Sequence, residues 1–218
     1  MTDLKTTFAG LQLKNPIIIS SSGLTNSAGK NKKLAEAGAG AIVLKSLFEE
    51  QILIEADQLK DPTYSEGNDY LADYIREHKL AEYLELIKES KKVCDIPIIA
   101  SINCYTDTEW IDFAKQMEEA GADALDADNG SYDSWFWAHP PMYMPLACNL
   151  EDAAFIKQHV NIPVFCAGRM EDPDTSSEAI RSGRIDAVTI GRQLLADGEY
   201  CAKVQAGEIE DIRPCIAC

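Results

Sequence analysis

Two Gly-Arg pairs near the end of the sequence are the residues best suited to bind an anion. The run VFCAGR ends in Gly168 and Arg169, and the run AVTIGR ends in Gly191 and Arg192. A glycine lets backbone N–H groups approach an anion closely, and an arginine adds positive charge and a forked set of hydrogen-bond donors. The two pairs therefore predict a phosphate cradle. The alternative for each arginine taken alone is an ion pair with one of the 36 acidic residues.

An aromatic stretch at residues 129–143, NGSYDSWFWAHPPMY, is the candidate for holding a planar ligand and for moving a proton. Aromatic faces can close a flat pocket, and Tyr132 or His139 is the predicted proton donor. The competing interpretation is a hydrophobic lid that only shields the mouth of the site.

Strand-like and helix-like segments alternate along the chain and must position these residues. Runs such as IPIIASINC and IPVFCAG are apolar on both faces, which indicates a buried parallel sheet covered by helices. Leu80, Leu84 and Ile87 mark one face of a long helix, and a last helix is predicted over about 193–206. The alternation amounts to about six strand-helix units.

Length and one missing motif decide between two parallel architectures. A complete eight-stranded barrel needs about 250 residues, whereas this chain has 218. A doubly wound open sheet fits that length, but SSSGLTNSAG lacks the G-x-G-x-x-G fingerprint. We therefore expect an α/β fold, a TIM-barrel-derived (βα) parallel sheet with about six units instead of eight, in a single domain over residues 1–218. In such a barrel a phosphate rests on the loops after the last two strands, where both Gly-Arg pairs lie.

Composition and charge narrow the function classes. A net charge of −16 argues against a nucleic-acid or anionic-membrane surface. No apolar run approaches the roughly 20 residues of a membrane span, and the start MTDLKTTFAG does not resemble a signal peptide. Seven cysteines, an odd number without a secretory signal, favour reduced thiols in the cytoplasm. We expect a cytoplasmic protein whose partner is a small-molecule substrate, without nucleic acid or membrane.

The sequence resembles two flavoprotein families, one in each half. Residues from about 4 to 125, with FAGLQLKNPIIISSSGLT, AIVLKSL and IPIIASINC, resemble the first half of a dihydroorotate dehydrogenase-like protein. Residues from about 121 to 218, with DALDADNGSYDSWFWAHPPMY, PVFCAGRMEDP, AVTIGRQLLADGEY and IRPCIAC, resemble the last part of the barrel of NADH:flavin oxidoreductases of the old yellow enzyme and 2,4-dienoyl-CoA reductase type. The seam lies near 121–128. The halves resemble units one to four and six to eight, so we expect a recombined, deleted or engineered chain.

The resemblance implies an FMN cofactor, with NADH or NADPH as electron donor. Ser21, Ser22 and Gly23 match the end of the first strand, where backbone groups line the flavin ring. Lys45 resembles a lysine that approaches the flavin, where a cation stabilises negative charge on the reduced ring; the alternative is a snorkelling surface lysine. Asn103 ends the third strand and faces substrate or flavin, or is only a turn residue bonded to its own backbone.

The closing CIAC motif resembles the start of a longer cysteine run that holds a 4Fe–4S cluster. Cys215 and Cys218 are two thiolates, and such a cluster needs four ligands. A 4Fe–4S cluster is therefore not expected, unless both cysteines share a metal with another subunit. The alternative is two free thiols on the tail.

The function expected is an FMN-binding oxidoreductase-like barrel with weak hydride transfer from a reduced nicotinamide to a small activated acceptor. One alternative is a catalytically inactive scaffold that binds phosphate or flavin. A weaker one makes Lys45 a Schiff-base lysine of an aldolase-like barrel. Six parallel strands cannot keep the tilt and stagger of an eight-stranded barrel. We expect a sheet that either tightens into a small six-unit closure or is completed by a homo-oligomer formed through its open edges.

Overall fold

The structure is a computed structural model that describes residues 3–48, 65–103, 107–130 and 135–217. It opens with an antiparallel hairpin of β1 (Thr6–Phe8) and β2 (Leu11–Leu13). The two turn residues, Ala9 and Gly10, have φ of 47° and 82°. Two successive positive φ values are typical of the tight turn whose twist matches that of the flanking strands.

A parallel sheet follows, and its strands neighbour one another in chain order. Its strands are β3 (Ile18–Ile19), β4 (Ala41–Val43), β5 (Leu47–Phe48), β6 (Ile98–Asn103), β7 (Ala124–Ala127), β8 (Val164–Cys166) and β9 (Ala187–Val188). The order is β3-β4-β6-β7-β8-β9, and every pairing in it is parallel. The short β5 also pairs with β6, beyond the residues of β6 that pair with β4. The two segments β4 and β5 therefore act as one interrupted strand. The predicted six-unit parallel sheet is confirmed.

Helices connect the strands and cover one face of the sheet. They are α1 (Ala28–Glu36), α2 (Ser65–Val93), α3 (Asp107–Glu119), α4 (Trp135–Ala138), α5 (Leu150–Lys157), α6 (Pro173–Arg181), α7 (Arg192–Ala196) and α8 (Tyr200–Ala206). A 3₁₀ turn follows at Ile209–Asp211. In α2, Leu80 and Ile87 are buried and Leu84 packs beside them, as predicted. No helix within the described ranges is long and apolar enough to cross a membrane.

The predicted last helix over 193–206 is wrong, because the chain breaks at Asp197. Asp197 has φ of −139° and ψ of 100°, which ends α7. Its carboxylate accepts hydrogen bonds from the backbone N–H of Glu199 at 3.0 Å and of Arg213 at 2.8 Å. A side chain that binds nearby backbone donors competes with helical hydrogen bonding. Two short helices therefore replace one long helix.

Side chains on successive strand positions separate into two cores. Ile42, Ile98, Leu125 and Val164 lie under the helices in the larger cluster. The alternate positions pack on the opposite face with the hairpin; they include Ala41, Val43, Ile99, Ala124, Phe165 and Ala187. Because side chains alternate along a strand, a slip of one residue in register would exchange the two sets. Buried apolar contacts on both faces therefore fix the register.

The sheet curls, and its two outer strands line one cavity. Ser21, just after β3, and Thr189, just after β9, both border a cavity of about 610 Å³, which Phe8 of the hairpin and residues of α7 and α8 also line. Within the described residues, β3 pairs only with β4, and β9 pairs only with β8. The sheet is thus a curled, open part of a barrel. The predicted seam at 121–128 contains the central strand β7; the single-domain and seam predictions stay predictions.

Candidate functional site

The two Gly-Arg pairs meet around one cavity. Gly168, Arg169, Gly191 and Arg192 all line a space of about 240 Å³ at the carboxyl ends of β8 and β9. The parallel order of the sheet brings them together, because adjacent parallel strands end at the same edge. This space is called the anion cavity below. Their assignment as ligands of a phosphate stays a prediction.

The backbone of the first pair requires a glycine. Gly168 has φ of 104°, a conformation that side chains rarely adopt. A Cβ at this position would lie 2.3 Å from Nδ2 of Asn149, which is buried. Arg169 is also left-handed, with φ of 52°. Two successive left-handed residues turn the chain sharply at the cavity wall.

The Arg169 guanidinium holds a neighbouring loop. Its Nη1 donates to the carbonyl oxygen of Met142 at 2.7 Å and to that of Met144. Its Nε donates to the Glu171 carboxylate at 2.8 Å, so the ion pair considered as the alternative is present. The side chain is 14% exposed. Arg169 therefore lies at the cavity with its charge balanced by Glu171, while its Nε and Nη1 bind protein groups.

The second arginine holds the other end of the same loop. Arg192 Nη2 donates to the carbonyl oxygen of Pro140 at 3.1 Å, and Nη1 lies 3.2 Å from Nδ1 of His139. Because a guanidinium can only donate, Nδ1 must accept, which places the imidazole proton on Nε2. The His139 ring also stacks on Trp135, with centroids 5.4 Å apart and planes 6° from parallel. Tyr132, the other candidate proton donor, lies outside the described residues.

The residues predicted to line a flavin ring lie at the ends of three neighbouring strands of the parallel sheet, β3, β4 and β6. Ser21 borders the larger cavity, and its Oγ lies 3.0 Å from Ser46 Oγ, which lies 2.8 Å from Ser101 Oγ. This row of hydroxyls connects the ends of β3 and β4 with β6. Their assignment to a flavin stays a prediction.

The neighbouring predicted residues bind local backbone. Ser22 and Gly23 form the turn after β3: the carbonyl of Ser22 accepts from Thr25 N–H and Oγ1, and that of Gly23 accepts from Lys30 Nζ at 2.9 Å. The Lys45 backbone N–H donates to the carbonyl of Thr25 at 3.2 Å. These contacts fix where the predicted ring-side residues lie.

Asn103 is buried and tied to another loop. Its Nδ2 donates to the carbonyl oxygen of Gly130. This bond differs from the alternative considered from the sequence, in which Asn103 bonds to its own backbone, because the acceptor Gly130 follows β7. This bond joins the ends of β6 and β7. Thr189 and Ile190 line both cavities, so the anion cavity and the larger cavity share a wall.

Two acidic residues in β7 and just after it were missed as site residues. Asp128 lines the anion cavity, and Asp126 lines the larger one. Thr189 Oγ1 donates to Asp126 Oδ1 at 2.9 Å. Burial raises the pKa of Asp126, and burial raises the pKa of Asp128 to about 6, with a smaller contribution from the Asp126 charge. The signal was present in the run ALDAD, where two acids interrupt an apolar strand.

The tail after the last helix forms another wall of the anion cavity. Gln193, buried, accepts from the Cys215 backbone N–H at 2.9 Å and donates to the Arg213 carbonyl at 2.7 Å. Hydrogen bonds from Lys203 and the Arg213 N–H lower the pKa of Asp197 to about 2. These contacts place Cys215 at the cavity.

Of the two cysteines considered as metal ligands in the tail, the structure describes only Cys215. Cys218 lies outside the described residues. Among the residues that are described, no three His, Cys, Asp or Glu side chains group closely enough to hold a metal ion. A metal that Cys215 and Cys218 share with another subunit stays a prediction.

The curled (βα) sheet, with a cavity bordered by two glycines and two arginines at its strand ends, defines the class: a TIM-barrel-derived α/β protein with a cavity at the carboxyl edge of its sheet. The family model described as NADH:flavin oxidoreductase / NADH oxidase family matches residues 99–211, more than half of the chain. The chain belongs to this family.

Two relatives and one solved structure show what this chain is similar to. A cinnamate reductase of Clostridium sporogenes is 47% identical over 110 residues, which cover 50% of this chain and 16% of the relative. The catalytic subunit of a dihydroorotate dehydrogenase B of Thermoplasma volcanium is 32% identical over 131 residues, covering 58% and 41%. The structure of a 2-naphthoyl-CoA reductase shares the fold, with a TM-score of 0.68 at 20% identity over 99% of this chain and 36% of that one. The chain spans about a sixth of the length of the cinnamate reductase.

Proposed function

We propose that the chain binds FMN and supports hydride transfer from NADH or NADPH to a small activated alkene. The observation that carries the proposal is the meeting of Gly168, Arg169, Gly191 and Arg192 around one cavity at the ends of β8 and β9. Membership of an NADH:flavin oxidoreductase family supports the flavin and the nicotinamide donor.

The residues of the anion cavity fit the phosphate end of FMN. Gly191 has open space where a Cβ would stand, so its backbone is accessible to a ligand. Both guanidiniums border the cavity, and because Glu171 balances the charge of Arg169, Arg192 is the main source of positive charge. Backbone N–H groups with arginine are a donor set suited to a phosphate ester. FMN, when bound, supplies the hydride-carrying chemistry.

The chain's own residues would orient the ligand and move a proton. Ser21, Ser22 and Gly23 are proposed to line the ring, with Lys45 stabilising negative charge and Asn103 facing ring or substrate. Trp135 stacks on the His139 ring and fixes its orientation. The Arg192 hydrogen bond to Nδ1 leaves the proton on Nε2. We propose that this N–H donates its proton to the substrate after hydride transfer. Tyr132 is the second candidate for the proton donor.

The exposed aromatic surface beside His139 supports a substrate class. Trp135 is 55% exposed and Phe136 51% exposed. Flat conjugated molecules stack on such faces. Together with the relative named cinnamate reductase, this supports an aryl-substituted, α,β-unsaturated carboxylate as the acceptor.

The test is the absorbance spectrum of the protein reconstituted with FMN, followed under anaerobic conditions. Reduction by NADH or NADPH should bleach the flavin band, and cinnamate should restore it. We expect turnover below about 10 per second, because open sheet edges leave the pocket less rigid. A protein that binds no FMN at any concentration used would refute the proposal.

The second candidate function is an FMN-binding scaffold without turnover. The observation that favours it is the open sheet, since β3 and β9 each lack a second partner within the described residues. FMN binding without reduction by either nicotinamide would support this candidate.

A further inference from the structure

A carboxylate lies in the wall of the anion cavity. Asp128, just after β7, lines the same space as both Gly-Arg pairs. An ionised carboxylate there would repel a phosphate or sulfate at close range. The cavity can bind an anion tightly only if this carboxylate is neutral or its charge is balanced.

Some groups around Asp128 favour its ionised form, and others favour its neutral form. Its Oδ1 accepts from the Asn129 backbone N–H at 2.8 Å, and the Arg192 charge acts on it; both favour the ionised form. Burial and the charge of Asp126 oppose ionisation, and burial has the largest effect. The pKa of Asp128 is raised to about 6, so the proton is lost near neutral pH.

Other titratable or charged groups face Asp128 from the neighbouring elements. Glu171 and Arg169, which form an ion pair, line the same cavity after β8. Cys166 in β8 and Cys148 before α5 both interact with the Asp128 charge. Burial raises the pKa of both thiols, that of Cys166 to about 12, so both are neutral when Asp128 titrates. Asp128 is therefore the cavity carboxylate positioned to change charge near neutral pH.

We propose that Asp128 determines affinity at this site by holding a proton when an anion is bound and donating that hydrogen bond to it. The inference rests on the proposed function, because it takes the anion cavity as the seat of the FMN phosphate. Binding then takes up one proton from solvent when the free site is ionised. Above a pH of about 6, affinity should fall by up to about tenfold per pH unit.

The experiment is calorimetric titration with sulfate and with FMN from pH 5.5 to 8.5. Sulfate keeps its charge over this range, so its pH dependence reports the protein. Titration in buffers of different ionisation enthalpy counts the protons taken up. The wild type should take up close to one proton at pH 8, and Asp128→Asn none. The variant should bind sulfate at pH 8 about tenfold or more tightly than the wild type.

Asp95→Asn is the matched control, because Asp95 is exposed and precedes β6 at the opposite end of the sheet. It should keep the wild-type pH dependence. Equal pH dependence in the wild type and Asp128→Asn, or weaker binding by that variant at every pH, would overturn the inference. Loss of FMN and sulfate binding by every folded protein would instead refute the proposed function. If Asp128→Asn does not fold, proton uptake by the wild type decides.

Discussion

The amide of Asn149 occupies the space that a side chain on Gly168 would need, since a Cβ there would lie 2.3 Å from Nδ2. Asn149 is buried, and neither polar atom of its amide has a hydrogen-bond partner among the described residues. The contact therefore constrains shape rather than supplying a bond. It fixes the turn that presents the Gly168 backbone to the anion cavity.

Gly168→Ala should lower the free energy of unfolding by about 2–4 kcal/mol, because it adds a left-handed alanine and a clash. Urea denaturation measures the change. Gly198→Ala is the control, since a Cβ there meets nothing within 4 Å. Adding Asn149→Ala should recover the part of the loss due to the clash. A Gly168→Ala protein as stable as the wild type would contradict this account.

Gly191→Ala should separate folding from binding. A Cβ at Gly191 meets no protein atom within 4 Å, and its φ of −108° is negative, so alanine would not have to adopt a left-handed conformation. We expect unfolding free energy within about 0.5 kcal/mol of the wild type, with weaker FMN binding because the methyl group stands at the anion cavity. Calorimetry and urea denaturation on the same sample check both. Unchanged FMN affinity would show that this backbone does not contact the ligand.

Arg192→Ala should weaken FMN binding by about 1.5–3 kcal/mol, the usual contribution of a charge-assisted hydrogen bond. It also removes the donor to His139 and Pro140. Arg184→Ala removes the same charge from a residue that pairs with Glu151 away from the cavity, so it should bind FMN normally. Calorimetric titration of FMN that gives equal affinities for the two variants would refute a role for Arg192.

The sequence was sufficient for the six strand-helix units of the parallel sheet and for the position of the four Gly-Arg residues at adjacent strand ends. Apolar runs define strands, and parallel strands end at one edge, so the ends of β8 and β9 could be placed together. It could not show that Arg169 binds the carbonyls of Met142 and Met144, because backbone acceptors carry no residue signature.

Contacts between distant residues were also invisible in the sequence. Asp126 and Thr189 are 63 residues apart, and their bond depends on strand order rather than on local pattern. The break at Asp197 had a local signal that was overlooked, because Asp197-Gly198 is a turn dipeptide; only its bond from the Arg213 N–H depends on a distant residue. Local periodicity predicts elements, whereas tertiary hydrogen bonds decide where some of them end.

Asp128→Asn should stabilise the protein at pH 8 and not at pH 4. The pKa of Asp128 is about 6 in the folded chain, above its ordinary value, so its stability contribution is present at low pH and lost as pH rises towards 6. The variant should therefore gain about 1–3 kcal/mol of unfolding free energy above pH 7. Urea denaturation at both pH values measures it. An equal effect at pH 4 and pH 8 would contradict the ionisation argument.

The open edges of the sheet should drive self-association. Within the described residues, β3 pairs on one side only, and Ile17 just before it is 58% exposed. Unpaired strand edges offer backbone donors and acceptors to another chain, and a charge on such an edge opposes that pairing. We expect light scattering to show mass rising above 24.0 kDa as concentration increases. Ile17→Lys should shift the protein towards monomer, whereas Ile180→Lys, an exposed position on α6, should not. A wild type that remains monomeric at high micromolar concentration, with a cooperative melt, would rule out pairing through these edges.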